Sequence, residues 1–129
     1  MKIGELSKRT GCSIQSIRYY EKEGLLSSTL RSEGNFRLYN DEAVKELNFI
    51  LRCRSLDISL AEIKQLKDLK YKPNENCQDV NSIFDKHISL VDLKMKELRE
   101  LKKQLKNLRD KCSDKNIVNE CGIIQELTK

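Results

Sequence analysis

At 129 residues, with 38% hydrophobic and 35% charged side chains, the chain has enough apolar surface for one small domain with an extension and too little for two full cores. Its net charge of +5, and the ten Lys and Arg against seven Asp and Glu in residues 1–54, permit contact with a polyanion without demanding it. The opening MKIGELSKRT has no long apolar run after its basic start, so neither a secretory signal nor a membrane span is expected; the reading is cytoplasmic, where five cysteines point to metal binding or redox sensing rather than to a disulfide framework.

The first element is a helix over Ile3–Thr10, with Ile3 and Leu6 on a helical period and Gly11 as its stop. Ser13 caps a second helix that carries Ile14, Ile17 and Tyr20 and closes at Gly24. Two short helices joined by a tight glycine turn form a helix-turn-helix. In LLSSTLRSEGNFRLY, the Gly34-Asn35 pair signals a turn and the residues after it alternate as a short strand would, so residues 25–39 are predicted to be a hairpin wing. A third helix starts at Asn40-Asp41 with Val44, Leu47, Ile50 and Leu51. A fourth starts at Ser59, where Glu62 completes a capping box, and ends near Lys70.

The predicted organisation is a winged helix-turn-helix domain with its helix pair over 1–70, a linker over 71–78, a dimerisation helix over 79–111, and a loop and tail over 112–129. From Asp79 to Lys111 there is no Gly or Pro, and Phe84, Ile88, Val91, Met95, Leu98, Leu101, Leu105, Leu108 and Cys112 recur at steps of three and four. Such a helix is about 50 Å long, and nothing in its own chain covers its narrow apolar stripe. It is therefore expected to pair with a second copy in a coiled coil.

The cysteines constrain that pairing. Cys77 precedes the long helix and Cys112 ends it, too far apart within one chain for a single ion with metal–sulfur distances of about 2.3 Å. In an antiparallel dimer, Cys77 of one chain lies beside Cys112 of the other, and the loop to Cys121 supplies a third thiolate. A site of three sulfurs selects thiophilic ions over Mg2+ or Ca2+, and Lys111 and Lys115 are placed to lower the thiol pKa. Cys12 and Cys53 read as buried structural thiols. His87 lies beside the stripe and reads as packed or hydrogen-bonded rather than as a ligand. With one His, no nucleophile–base pairing and no phosphate-binding Gly loop, catalysis is not expected.

SIRYYEKEGLL followed by RSEGNFRLY, then a helix pair, a long helix and a cysteine-bearing tail, resembles the mercury-resistance-regulator (MerR) family over essentially the whole chain. RCRSLDISLAEI, NCQDVNSIFDKHI and ECGIIQEL look like its cadmium- and lead-responsive branch. The resemblance implies a mainly α protein: an N-terminal winged helix-turn-helix domain, a long antiparallel coiled-coil helix and a short C-terminal metal-binding loop. It implies a homodimer on promoter DNA whose second helix enters the major groove while the wing grips the backbone. Carried over by position, Gln15, Ser16 and Arg18 stand nearest base edges, and Arg18, Tyr20, Arg31, Asn35, Arg37 and Tyr39 stand at phosphates, joined by Arg54. Tyr19 and Phe36 are grouped with them, with core packing an equal alternative.

The resemblance further implies repression without metal, and distortion of an overlong promoter spacer with metal, so that RNA polymerase engages both promoter elements. Similar sensors of monovalent copper or silver carry Ser where this chain has Cys77, so the implied effector is a divalent ion. Pb2+ or Cd2+ is expected at Cys77, Cys112 and Cys121, with Hg2+ or Zn2+ as the alternatives. Iron–sulfur relatives use four clustered tail cysteines and drug-binding relatives a large C-terminal domain, and neither pattern is found here. Some cadmium-responsive relatives carry a His-rich tail that adds a second metal site using the position of His87; the sequence runs to Lys129 without one, so a second site is not expected.

Overall fold

The computed structural model describes residues 1–27 and 30–129; Ser28 and Thr29, within the predicted wing, lie outside the described residues. The chain forms two compact units, Met1–Ile83 and Phe84–Lys129.

In the first unit, α1 (Ile3–Thr10) ends at Gly11, whose φ of 76° is left-handed backbone that costs a residue with a Cβ. The Ser7 hydroxyl donates to the Cys12 carbonyl at 2.6 Å, and the Cys12 N–H donates to the Thr10 hydroxyl at 3.3 Å, which tightens the turn. α2 (Ile14–Lys22) begins at Ser13, whose hydroxyl accepts from the Ser16 N–H at 3.1 Å and so satisfies one of the free amides of the first turn. The wing is a two-stranded antiparallel ribbon, β1 (Leu30–Arg31) and β2 (Arg37–Leu38), in the register Leu30 to Leu38 and Arg31 to Arg37. Asn35 turns it at a φ of 64°.

α3 (Asp41–Ser55) is capped by the Asn40 side chain, which accepts from the Ala43 N–H at 3.0 Å. After α3 the chain turns through Asp57 at a φ of 61°. α4 (Leu60–Lys70) opens on the reciprocal capping box, with Ser59 and Glu62 each accepting from the other's N–H at 3.2 and 3.0 Å. Leu6, Ile17, Leu25, Leu47, Ile50, Ile58 and Ile63 are fully buried; they come from α1 to α4 and from the loops after α2 and α3, and their packing fixes these four helices relative to one another. Cys12 and Cys53 are buried in the same core, and burial pushes both thiols up, as their reading as structural thiols expected.

α5 (Gln78–Arg109) is a single helix of 32 residues. Ile83 is buried, whereas Phe84, Ile88, Val91, Met95, Leu98, Leu101 and Leu105 are all exposed along the rest of it. The helix stops two residues before the predicted Lys111, so Cys112 belongs to the following loop rather than to the stripe. The Arg109 guanidinium accounts for the early end: it donates to the Cys112 carbonyl at 2.6 Å and pairs with Asp114 at 3.3 Å, tying the loop back on the last turn. The tail is also more structured than expected, with a 3-10 turn at Val118–Glu120 and a sixth helix, α6 (Gly122–Leu127). Among the described residues no helix is long and apolar enough to cross a membrane.

Candidate functional site

On the first unit, α2 and the wing border an open cleft of about 1150 Å3 whose lining includes Lys2, Arg18, Lys22, Arg31 and Arg37. The cations converge because Arg18 and Lys22 lie four residues apart on one face of α2 and Arg31 and Arg37 are cross-strand partners in the wing. Gln15, Arg18 and Tyr19 are exposed on α2. Ser16 is half-buried, its hydroxyl accepting from that of Ser13 at 2.9 Å. In the wing, Arg31 donates to the Asn35 carbonyl at 3.2 Å, and Phe36 lies under the Lys2 ammonium, 5.0 Å from the ring centre.

Tyr19 is 48% exposed and Phe36 60%, so neither packs in the core. Tyr20 and Tyr39, placed at phosphate by the sequence reading, are core residues here. The Tyr39 hydroxyl donates to the Glu21 carboxylate, to which the Arg37 guanidinium also donates. Arg54 is exposed, and its guanidinium donates to the Ile58 carbonyl at 3.1 Å. Lys2, Glu21 and Lys22 also line this cleft, and the sequence reading passed over them. The spacing of Glu21 and Lys22 behind Arg18 on α2 was the available signal for two of them.

The thiols fall in both units. Cys77 is exposed immediately before α5, where its carbonyl accepts from the Asn81 N–H at 2.8 Å and the preceding Asn76 side chain accepts from the Gln78 N–H at 3.1 Å. Cys112 and Cys121, both half-buried in the second unit, are brought together. The Cys121 thiol is held below its ordinary range first by a hydrogen bond from the Ile124 amide, then by one from Cys112, with a smaller contribution from the Ile123 amide; all three stabilise a thiolate. The Asn116 amide donates to Cys112 Sγ at 3.8 Å.

Beside Cys121, Gly122 packs closely on Lys111: a Cβ there would lie 2.3 Å from the Lys111 carbonyl oxygen, and a close approach of this kind is open only to glycine. Lys111 does not face the thiols as expected. Its ammonium pairs with Glu126 at 3.3 Å and joins Lys129, the stronger influence, in holding that carboxyl below its usual range. Lys115 does not figure among the groups that lower Cys121. His87 is half-buried on α5. Among the described residues of one chain, no three His, Cys, Asp or Glu side chains converge to hold a metal ion.

Comparison with known proteins agrees with this division. A family model described as "MerR HTH family regulatory protein" matches residues 1–70, and a second, "MerR, DNA binding", matches residues 44–108. The chain is 46% identical over 111 residues to the "HTH-type transcriptional regulator ZntR homolog" of Haemophilus influenzae, covering 86% of this chain and 82% of that one. It is 48% identical to the transcription regulator PbrR691 from Ralstonia metallidurans CH34, solved in complex with lead(II), with a TM-score of 0.86 over 98% of both chains. It is 28% identical to the regulator MerR from Bacillus megaterium MB1, solved in complex with mercury(II), with a TM-score of 0.72 over the whole of both chains. A basic helix-turn-helix with its wing, a long helix and a paired-thiol loop thus occur together in a chain that belongs to the MerR family, and the protein is a DNA-binding transcriptional regulator, not an enzyme.

Proposed function

We propose that the protein is a metal-responsive regulator that binds promoter DNA as a homodimer and activates heavy-metal resistance genes when a divalent thiophilic ion, Pb2+ or Cd2+, occupies a three-cysteine site shared between protomers. The observation that carries the reading is the arrangement of Cys112 and Cys121 as a hydrogen-bonded pair in the loop after α5, with Cys77 at the other end of the same 32-residue helix. Two thiols are hydrogen-bonded to one another, and a third sulfur completes the proposed set. An antiparallel partner whose α5 covers the exposed stripe supplies it from its own Cys77.

The donor set fits the ion. Three sulfurs favour soft thiophilic metals over hard cations, and the lowered Cys121 thiol reduces the cost of deprotonation on binding. Occupancy of a site with ligands from both chains favours one arrangement of the dimer by its differential affinity for the two. That preference is passed to the DNA through the first unit, where Gln15, Ser16 and Arg18 face base edges and Arg18, Tyr19, Arg31, Asn35, Phe36, Arg37 and Arg54 face the backbone or sugars. Tyr20 and Tyr39 take part through their positions in the packed base of the same surface. Bending a promoter costs a few kcal/mol, within reach of such a ligand, and RNA polymerase then engages the realigned elements.

Titration of the full-length protein with Pb2+, Cd2+, Zn2+ and Hg2+ against a competing chelator, repeated with Cys77→Ser, tests the site. The variant is expected to lose tight binding of divalent ions and metal-dependent transcription while keeping operator binding; unchanged affinity overturns the site. A response to Hg2+ or Zn2+ through the same three cysteines is the second reading, favoured by the mercury(II) complex of the Bacillus megaterium relative, and the order of affinities decides between them.

A further inference from the structure

The cleft between α2 and the wing is lined, among the described residues, by five cations and a single carboxylate, Glu21. Its side chain is 7% exposed, against 44% for Arg37. One carboxylate oxygen accepts from the Arg37 guanidinium on β2 and the other from the Tyr39 hydroxyl just beyond it. Glu21 thus joins the second helix of the helix-turn-helix to the wing at two points. A carboxylate on a surface meant for phosphate opposes binding by its charge, so its presence calls for a compensating role.

We propose that Glu21 is a positioning residue of the DNA interface that sets sequence selectivity: it fixes the wing against the second helix through Arg37 and Tyr39, and it neutralises part of the charge of Arg37 so that the wing adds little indiscriminate affinity. The two effects act in the same direction. A charge held by an internal partner contributes less counterion release on any duplex, whereas a fixed wing keeps the second helix in register with base edges on the right one. Arg31, the cross-strand partner of Arg37, differs in donating to the neutral Asn35 carbonyl and keeps its full charge for phosphate. The proposal rests on DNA binding by this face of the first unit and is independent of the metal site.

Glu21→Gln removes the charge and keeps an acceptor for the Tyr39 hydroxyl. Binding of the full-length dimer to a random-sequence duplex, and to an operator selected from a random library, is measured over a series of salt concentrations. The variant is expected to bind the random duplex more tightly, with a salt slope steeper by about one per protomer, and to lose about tenfold in its preference for the operator. In an Arg37→Gln background, where only the carboxylate's own repulsion is relieved, Glu21→Gln is expected to steepen the slope by less than half as much and to leave the operator preference unchanged. An unchanged slope, or the same change in both backgrounds, overturns the proposal. Arg37→Gln alone is the second arm, because that side chain is exposed and its loss leaves the core intact: it is expected to flatten the slope by less than half as much as Arg31→Gln. Equal losses would show that Glu21 does not restrain the wing arginine.

Discussion

Gly122→Ala alters no ligand, yet it is expected to weaken the metal site. The added Cβ would stand 2.3 Å from the Lys111 carbonyl oxygen and 3.2 Å from its carbon. Contacts under 3.0 Å are essentially never seen for real Cβ atoms, so α6 must withdraw by at least about 0.7 Å. The obstacle is backbone and cannot swing aside as a side chain would. Cys121 is the neighbouring residue and its thiol is set by the Ile124 amide and by Cys112, so the withdrawal separates the thiol pair. Metal sites tolerate about 0.2 Å of error in ligand distance, and disturbing the groups that orient a ligand costs about 10- to 100-fold in affinity. Chelator competition with Pb2+ and Cd2+ should show a loss of that size for Gly122→Ala and none for Gly4→Ala, where a Cβ meets nothing within 4 Å. Native affinity in Gly122→Ala would refute the claim that the close approach at Lys111 holds the pair together.

The stripe of α5 predicts that Leu101→Glu, which places a charge at a position exposed in the single chain but buried in a coiled-coil dimer, converts the protein to a monomer by light scattering; an unaltered dimer would place the interface elsewhere. Arg18→Ala should weaken binding to random duplex and flatten its salt dependence by about one per protomer, and an unaltered slope would remove Arg18 from the phosphates. Leu47→Ala, at a fully buried position, should cost about 2–5 kcal/mol in urea unfolding of the first unit. A thiol reagent applied to the native, metal-free protein should label Cys77, Cys112 and Cys121 promptly and Cys12 and Cys53 only on unfolding, since the last two are buried and their thiols pushed up. Prompt labelling of all five would place those two outside the core.

Much of the first unit was legible because its signals are local. Gly11, Ser13, Asn40 and the Ser59–Glu62 box each satisfy or end a helix within a few residues of themselves, so spacing alone located α1 to α4. The stripe of α5 was legible for the same reason. What escaped notice depends on contacts distant along the chain. Arg37 and Tyr39 meet Glu21 from sixteen and eighteen residues away, and no periodicity announces such a pair. α6 is six residues long with no side-chain cap, and its order comes from Gly122 pressed on Lys111 and from the Lys111–Glu126 ion pair. The early end of α5 likewise follows from where Arg109 finds its acceptors. At the candidate metal site, residue types and spacing singled out Cys77, Cys112 and Cys121, whereas the restraint on Cys121 and the diversion of Lys111 to Glu126 depend on contacts that only the folded chain makes.

In the proposed dimer the three thiols meet only across two chains. The decisive experiment isolates, with two different affinity tags, heterodimers that pair a Cys77→Ser chain with a chain carrying both Cys112→Ser and Cys121→Ser, and measures Pb2+ bound at a concentration that saturates the native protein. Neither variant homodimer should hold the ion tightly. The heterodimer should recover one site, half the native content, because one chain contributes Cys77 and the other contributes Cys112 and Cys121. No recovery in a heterodimer that still binds DNA would contradict the shared site.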